Sequence, residues 1–333
     1  MIVYSDKYLK HDSAGHPENA SRLRAVMDYL RNKIKELSIA EPRRAKKSEV
    51  CAVHSQEHYN YIRSLCEAGG GNIGMDTYVT SESFEVALLA AGGAIKAVDL
   101  AAQEGYAFAL VRPPGHHATR DQAMGFCLFN NAAIAACYAL EQGIAKKVLI
   151  LDIDVHHGNG TQDIFYSSPQ VLFISLHQHP LYPGTGYVEE LGEGEGRGYT
   201  VNIPLPPGTG DESYLRALEE IAVPIAEQFS PDLLLVSAGY DTAKEDPLGG
   251  MLLSQGSYWQ IGRVVKTLCS KIALTLEGGY SLTALSRCVY ATLAGLSGIG
   301  VKKTQSEETT LVRAEVDRRL VEYRRVLREY WDV

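Results

Sequence analysis

The chain has 333 residues, of which 45% are hydrophobic and 22% charged, a composition typical of a globular protein with a large core. The formal net charge of −8 argues against binding the nucleic-acid backbone, and no apolar run approaches the roughly 20 residues of a membrane span. The six cysteines form no CxxC pair, which favours reduced thiols, and residues 1–6 predict a first strand rather than a signal peptide. We therefore expect a cytoplasmic protein that contacts neither nucleic acid nor membrane.

Helical and strand-like segments alternate along the chain. In chain order, the patterns predict helices over 18–37 and 83–104, a strand over 107–111, a helix over 130–142, strands over 148–151 and 171–176, a helix over 211–229, a strand over 233–236, a helix over 254–270 and a strand over 272–276. No internal repeat and no linker rich in proline or serine divides them. Apolar strands separated by helices predict one α/β domain over 1–333, with an open, mostly parallel sheet flanked by helices.

The last predicted element is an amphipathic helix over about 306–331. Its apolar face carries Val312, Val316, Leu320, Tyr323, Leu327 and Trp331. Its other face carries Arg313, Arg318, Arg319, Arg324, Arg325 and Arg328. We expect the apolar face to dock on the domain and the basic face to be solvated, with a partner or oligomer surface as the alternative.

Acids, imidazoles and a phenol follow four of the predicted strands. They are His116 and His117 after 107–111, Asp152, Asp154 and His156 after 148–151, Asp241 after 233–236, and Tyr280 after 272–276. In an open parallel α/β sheet, ligands bind outside the carboxyl ends of the strands. The sequence therefore predicts one site at that edge of the sheet.

Asp154 and His156 are two residues apart, so in an extended segment both can reach one cation, and Asp241 could supply a third ligand. Two carboxylates and one imidazole suit Zn²⁺ with a position left open for water, and Fe²⁺ or Co²⁺ would also fit. In the simpler alternative, Asp152 and Asp154 only cap the following turn. Carboxylates at an apolar strand end are costly without a partner, which favours the metal.

His116 and His117 follow two prolines and a glycine, and they are either metal ligands or acid–base groups, because imidazoles titrate near neutral pH. Ordinary core or surface histidines are the alternative. Tyr280 follows Gly278 and Gly279, which let the backbone turn sharply. Its phenol could donate to a developing oxyanion.

Together these motifs resemble the histone deacetylase and acetylpolyamine amidohydrolase superfamily. The matching segments are RPPGHHA (112–118), GFC (125–127), LDIDVHHGNGTQ (151–162), SLH (175–177), PGTG (183–186), SAGYD (237–241) and LEGGY (276–280). The ordered set is highly specific, and the resemblance extends from about residue 2 to residue 300. Asn159 stands where class I enzymes carry an acid, so the chain is most similar to the class II and prokaryotic branch. The resemblance implies the arginase/deacetylase fold.

The resemblance also implies a role for each site residue. Asp154, His156 and Asp241 would hold one Zn²⁺ per chain, and Asp152 would orient His116. His117, near Asn159, would be the general base and then the general acid, and Tyr280 would polarise the substrate carbonyl. The expected substrate-binding residues are the Gly125 carbonyl, the channel walls Phe126 and Tyr182, the rim acid Asp76, and Leu248 at the gatekeeper position. The family also carries structural K⁺ near Asp152, Asp154, His156, Ser175 and Leu176, and near Phe165, Ser168, Val171 and Tyr199.

These roles predict a zinc-dependent amidohydrolase that removes acetyl groups from the Nε of acetylated lysine in proteins or peptides. Deacetylation of acetylpolyamines or other small acetylated amines is the nearest alternative, although Leu248 is not acidic and no long insertion occupies 69–83. A non-catalytic acetyl-lysine-binding scaffold would have lost a ligand or the phenol, and all are present. A two-metal hydrolase similar to arginase would need more carboxylates. The family includes monomers, dimers and tetramers, so a homo-oligomer is possible.

Overall fold

The computed structural model describes residues 1–302 and 304–333. The strands in this part of the chain are β1 (Ile2–Val3), β2 (Ile39–Ala40), β3 (Gly70–Ile73), β4 (Thr77–Thr80), β5 (Tyr106–Ala109), β6 (Val148–Asp152), β7 (Val171–Gln178), β8 (Thr200–Leu205), β9 (Leu233–Ala238) and β10 (Ile272–Leu276). Eight of them form one sheet in the order β2-β1-β5-β10-β9-β6-β7-β8, and all its pairings are parallel. Strands β3 and β4 form a separate antiparallel hairpin.

The helices that the structure describes are α1 (Ser21–Lys33), α2 (Lys47–Cys51), α3 (Gln56–Glu67), α4 (Ser83–Glu104), α5 (Asn131–Glu141), α6 (Asn159–Phe165), α7 (Asp211–Ala217), α8 (Val223–Phe229), α9 (Gln255–Leu268), α10 (Leu282–Ser297) and α11 (Thr310–Leu327). A π-helical turn at Leu218–Ala222 joins α7 to α8. No helix among the described residues has both the length and the apolar character needed to cross a bilayer.

Helices cover both faces of the sheet. Every residue of β6, β7, β9 and β10 is buried, and since successive side chains of a strand point to opposite faces, neither face of these strands meets solvent. Helices α4 and α5 pack on the central strands, while α1 and α9 each pack on α10. The architecture confirms the predicted single-domain, open, mostly parallel α/β sheet flanked by helices.

Helix α11 lies within the range 306–331 and is shorter than that range. It begins at Thr310 because the side chain of Thr309 accepts a hydrogen bond from the Val312 N–H and caps the helix. Val316, Leu320, Tyr323 and Leu327 are buried, whereas Val312 and Trp331 are only partly so. Arginines of the opposite face form ion pairs with glutamates: Arg313 with Glu212, Arg318 with Glu315, and Arg324 with Glu220.

The strands that carry chemistry lie side by side at the centre of the sheet. Strands β5, β10, β9 and β6 are consecutive neighbours. Asp152 at the end of β6 pairs with Ser237 of β9, and Ala238 pairs with Leu276 at the end of β10. Parallel strands in this register end at one edge, so the loops that follow them meet there.

Candidate active site

Asp154, His156 and Asp241 form a compact cluster just beyond the ends of β6 and β9. Each residue offers one ligand atom, and these atoms all lie within 4.8 Å of one another. His156 Nδ1 is 3.0 Å from Asp154 Oδ1 and 3.3 Å from Asp241 Oδ2. Both aspartates are fully buried. The three predicted ligands are therefore close enough to share one ion.

The cluster has an unsatisfied oxygen that suits a cation. Asp241 Oδ2 is buried and accepts no hydrogen bond, although Asp241 Oδ1 accepts one from the Val155 N–H at 2.8 Å. Burial and the negative charge of Asp154 raise the pKa of Asp241 to about 7. A buried carboxylate oxygen without a hydrogen bond is unfavourable, and a bound metal ion would satisfy it. The donor set and the orphaned oxygen thus fit Zn²⁺, Fe²⁺ or Co²⁺.

Two glycines allow the loops to approach this cluster. A Cβ on Gly239 would collide with the Asp154 carboxylate, and a Cβ on Gly278 would collide with that of Asp241. The Gly278 N–H donates to Asp154 Oδ2 at 2.8 Å. Sequence reasoning did not assign a role to Gly239 as a close-approach residue, although its place directly after a strand was a usable signal.

His116 and Asp152 form a buried pair beside the cluster. His116 Nδ1 lies 3.0 Å from Asp152 Oδ2. Burial alone would disfavour the imidazolium, but the charge of Asp152, the charge of Asp154 and the Asp152 hydrogen bond together raise the pKa of His116 to about 10. The pairing that was predicted from the resemblance is present, and it holds the His116 ring in one orientation.

His117 is the second imidazole of this motif and has the opposite electrostatic character. Burial, followed by the charges of His116 and His156, holds its pKa well below the ordinary value. Its Nδ1 is 2.7 Å from Asn159 Oδ1. Because an amide oxygen can only accept, Nδ1 donates the proton and Nε2 of the neutral ring is left free to accept one.

Glu277 holds the backbone of the loop that carries the two histidines. Its Oε2 accepts the N–H groups of Gly115 at 2.6 Å and His116 at 3.2 Å. Its Oε1 is buried without a hydrogen-bond partner, and burial raises the pKa of Glu277 to about 7. The sequence shows Glu277 within a motif, yet nothing in its position predicts a contact with a loop more than 160 residues away.

Tyr280 stands at the turn that follows β10. Burial raises the pKa of its phenol well above the ordinary value, against the charge of Arg22, whose guanidinium lies 4.9 Å from the ring centroid. The Phe126 ring meets it edge to face at 5.8 Å. Arg22 also donates to the Gly279 carbonyl at 2.7 Å and to the Glu277 carbonyl at 2.5 Å. Arg22 is a buried residue that the sequence patterns did not single out.

One cavity of about 240 Å³ opens onto these groups. The predicted residues that line it are Asp76, His116, His117, Gly125, Phe126, His156, Tyr182, Leu248 and Tyr280. Asp152, Asp154, Asn159 and Asp241 lie behind this lining and contact it through His116, His117 and His156. The structure therefore brings the predicted metal, acid–base and substrate-binding residues to a single cavity.

Phe126, which forms one wall of the cavity, has an unusual backbone conformation. Its φ of 70° lies in the left-handed region, which a bulky residue rarely adopts. The Phe126 N–H donates to Thr77 Oγ1 at 3.0 Å, and Thr77 follows Asp76 in the β3–β4 hairpin. On the other side, the Tyr182 ring packs edge to face on His117 at 5.1 Å. The two aromatic walls are thus held by separate loops.

Comparison with known proteins gives a consistent answer. Residues 16–296 match the family model of the histone deacetylase domain. A probable deacetylase of Archaeoglobus fulgidus is 40% identical over 353 aligned positions, which cover 99% of this chain and 98% of the relative. A histone deacetylase-like amidohydrolase of Pseudomonas aeruginosa is 38% identical over 86% of this chain and 78% of its own length.

One solved structure also matches nearly the whole of this chain. The crystal structure of the HDA15 HD domain superposes with a TM-score of 0.92 at 37% sequence identity, and the match covers 99% of this chain and 96% of that one. Family model, relatives and fold agree over nearly the whole chain. The chain therefore belongs to the histone deacetylase family of hydrolases.

Proposed function

We propose that this chain removes acetyl groups from the Nε of acetylated lysine in proteins or peptides, with Zn²⁺ as the cofactor. The observation that carries the proposal is the convergence of three metal-ligating side chains, a neutral imidazole and a protonated phenol on one cavity of about 240 Å³. Asp154, His156 and Asp241 would hold one ion per chain. When bound, the ion would act as a Lewis acid on the acetyl carbonyl and increase the acidity of a water molecule.

His117 supplies the proton transfers. Its Nδ1 proton is committed to Asn159, so Nε2 can take a proton from the attacking water and later return it to the leaving amine. The low pKa keeps the ring unprotonated before the reaction begins. The His116 ring lies with its centroid 4.0 Å from that of His117 and, as the partner of Asp152, places positive charge next to the reaction.

Tyr280 stabilises the negative charge that develops on the acetyl oxygen. Its raised pKa keeps the phenol protonated at neutral pH, so its O–H is available as a donor. A preorganised donor in a buried site contributes more than the same donor in water. No covalent intermediate with a side chain is required.

The shape of the cavity suits an acetylated lysine side chain. Phe126 and Tyr182 would enclose the aliphatic stem, the Gly125 carbonyl would accept the amide N–H, and Asp76 would contact the substrate backbone at the rim. Leu248 adds no acid to the mouth, and a four-residue strand on each side keeps the β3–β4 hairpin short. Both features favour a peptide over a free polyamine. The K⁺ sites near Asp152 and Phe165 stay predictions.

A panel of acylated substrates tests this function. The zinc-loaded protein would be incubated with an acetyl-lysine peptide, the same peptide with a longer acyl group, and N-acetylputrescine, each with and without a hydroxamate chelator, and the released acid would be quantified. We expect hydroxamate-sensitive turnover, highest with the acetyl-lysine peptide. Preference for N-acetylputrescine would instead assign a small acetylated amine, and binding of the peptide without any turnover would indicate a scaffold.

A further inference from the structure

The hydroxyl of Tyr280 is positioned through the backbone. Within residues 1–302 and 304–333, no side chain makes a hydrogen bond to Tyr280 Oη, and the phenol is held by its own turn and by ring contacts with Arg22 and Phe126. This turn contains Gly278 and Gly279, and Gly279 has a φ of +117°. A glycine-rich turn has many accessible conformations, so contacts outside it must select the one that the reaction uses.

Asp246 makes such contacts with both of its carboxylate oxygens. Its Oδ2 accepts the N–H of Tyr280 at 2.5 Å and the N–H of Ser281 at 2.9 Å. Its Oδ1 accepts the N–H of Leu248 at 3.0 Å. The side chain is buried, and the backbone N–H of Asp246 donates to the Ala243 carbonyl at 2.9 Å. Asp246 therefore joins the Tyr280 turn to the segment that carries Leu248 at the channel mouth.

The turn is held from two sides with opposite charge. Arg22 donates to the carbonyls of Glu277 and Gly279, and Asp246 accepts from the N–H groups of Tyr280 and Ser281. Hydrogen bonds to ionised groups are stronger than those between neutral groups. These four hydrogen bonds hold the Gly279 carbonyl and the Tyr280 N–H, which belong to one peptide group, and hence fix where the phenol points.

We propose that Asp246 is a positioning residue for Tyr280, which sets the phenol against the reacting carbonyl and couples it to the wall of the channel at Leu248. This inference rests on the proposed deacetylase function. The simpler possibility is that Asp246 only stabilises the start of α10, which begins at Leu282. The two differ in outcome, because a helix-end contact affects unfolding, whereas a positioning contact affects kcat through Tyr280.

The Asp246→Asn variant changes one acceptor into a donor and leaves the size of the side chain unchanged. It cannot satisfy all three N–H groups, because its amide has a single oxygen. We expect kcat for the acetyl-lysine peptide to fall by about tenfold to a hundredfold with little change in KM. A double-mutant cycle with Tyr280→Phe provides the test: in the Tyr280→Phe background, Asp246→Asn should lower kcat by no more than about threefold, because the phenol is already absent. Additive losses would overturn the proposal.

Asp211→Asn is the matched control. Asp211 is also a buried aspartate whose carboxylate accepts two backbone N–H groups, those of Ser254 and Ser306, but it lies at the start of α7 outside the active-site cavity. The Asp211→Asn variant should have a lower unfolding temperature than the wild type, without a selective loss of kcat. An equal fall of kcat in Asp211→Asn would show that loss of any such contact impairs the enzyme.

Hydrogen–deuterium exchange gives a readout that does not depend on activity. In Asp246→Asn the amides of Leu248, Tyr280 and Ser281 should exchange faster than in the wild type, and unchanged exchange would overturn the proposal. If the wild type hydrolyses none of the acyl substrates, the proposed function fails, while exchange still decides whether Asp246 positions the turn. If Asp246→Asn does not fold, Asp246→Ser, which leaves room for water, replaces it in both measurements.

Discussion

The phenol of Tyr280 is the donor whose contribution can be removed with the smallest change in structure. Tyr280→Phe deletes only the hydroxyl and keeps the ring contacts with Arg22 and Phe126. We expect normal folding and metal content, with kcat lower by about a hundredfold to a thousandfold, the usual effect of removing an oxyanion donor. Turnover of the acetyl-lysine peptide and zinc per chain would be measured together. Undiminished turnover would remove Tyr280 from the mechanism.

Glu277 predicts a dependence of stability on pH. Burial raises its pKa to about 7 from an ordinary value of 4.5, so between these pH values the folded protein binds more protons at this group than the unfolded chain does. Its contribution to the free energy of unfolding therefore falls as the pH rises through that interval and is constant above it. Glu277→Gln lacks this titration.

Urea unfolding of the metal-free proteins at pH 5 and pH 8 would measure the effect of Glu277. The free energy of unfolding of Glu277→Gln minus that of the wild type should be about 2 kcal/mol higher at pH 8 than at pH 5, because only the wild type loses stability over this interval. The exposed Glu227→Gln serves as the control and should show no such difference. Equal pH dependence in wild type and Glu277→Gln would mean that Glu277 is ionised throughout.

The residues to which we assign metal-binding and catalytic roles could be picked out from the sequence, and the buried residues that hold their loops could not. Asp154 and His156 are recognisable because a two-residue spacing after an apolar strand restricts where they point. Arg22, Asp246 and Glu277 act through backbone groups of other loops, as in the contact of Arg22 with the Gly279 carbonyl. Such contacts have no local pattern, because folding alone creates them.

At the scale of elements, sequence patterns located one long helix and one buried strand to the residue. The range 83–104 coincides with α4, and 272–276 coincides with β10. Strand β8 was not predicted because Asn202 and Pro204 interrupt its apolar run. Helix α10 was not predicted because its own apolar and small residues occupy most of its circumference. A helix that is buried on most sides has no polar stripe to mark its period.

The docking of α11 can be tested by truncating one buried side chain. Leu320 is fully buried, and the neighbouring Tyr323 hydroxyl donates to the Pro204 carbonyl of β8 at 2.5 Å. Leu320→Ala should lower the free energy of unfolding by about 2–5 kcal/mol, measured by urea denaturation. Val321→Ala, at a residue 64% exposed on the same helix, should change it by less than about 0.5 kcal/mol. Similar effects of both would contradict the docked face.

At the scale of the whole molecule, metal binding should stabilise the fold. Asp154 and Asp241 are buried carboxylates that the unfolded chain does not hold together, so the proposed Zn²⁺ would bind the folded state preferentially. At a hundredfold excess over Kd the gain is about 2.7 kcal/mol, seen as a higher unfolding temperature on adding Zn²⁺ to the metal-free protein.

Asp154→Ala should abolish both the zinc content and this thermal shift. The exposed Asp163→Ala, outside the cluster, should retain both. Zinc content would be measured by elemental mass spectrometry and the shift by scanning calorimetry. An Asp154→Ala protein that keeps one full zinc per chain would contradict the assignment of the ligands.

The parallel direction of the strands also gives the molecule two functionally different ends. The metal-binding and catalytic groups that we assign lie in segments that follow the carboxyl ends of strands. At the opposite edge of the sheet, the strands are preceded by surface turns such as the one at Gly143, where an added Cβ would meet nothing within 4 Å. A five-residue strand such as β6 separates the two edges by about 17 Å. A fluorophore, an affinity handle or a fused partner belongs at that far edge, where it can report on or immobilise the protein while the mouth of the channel stays open.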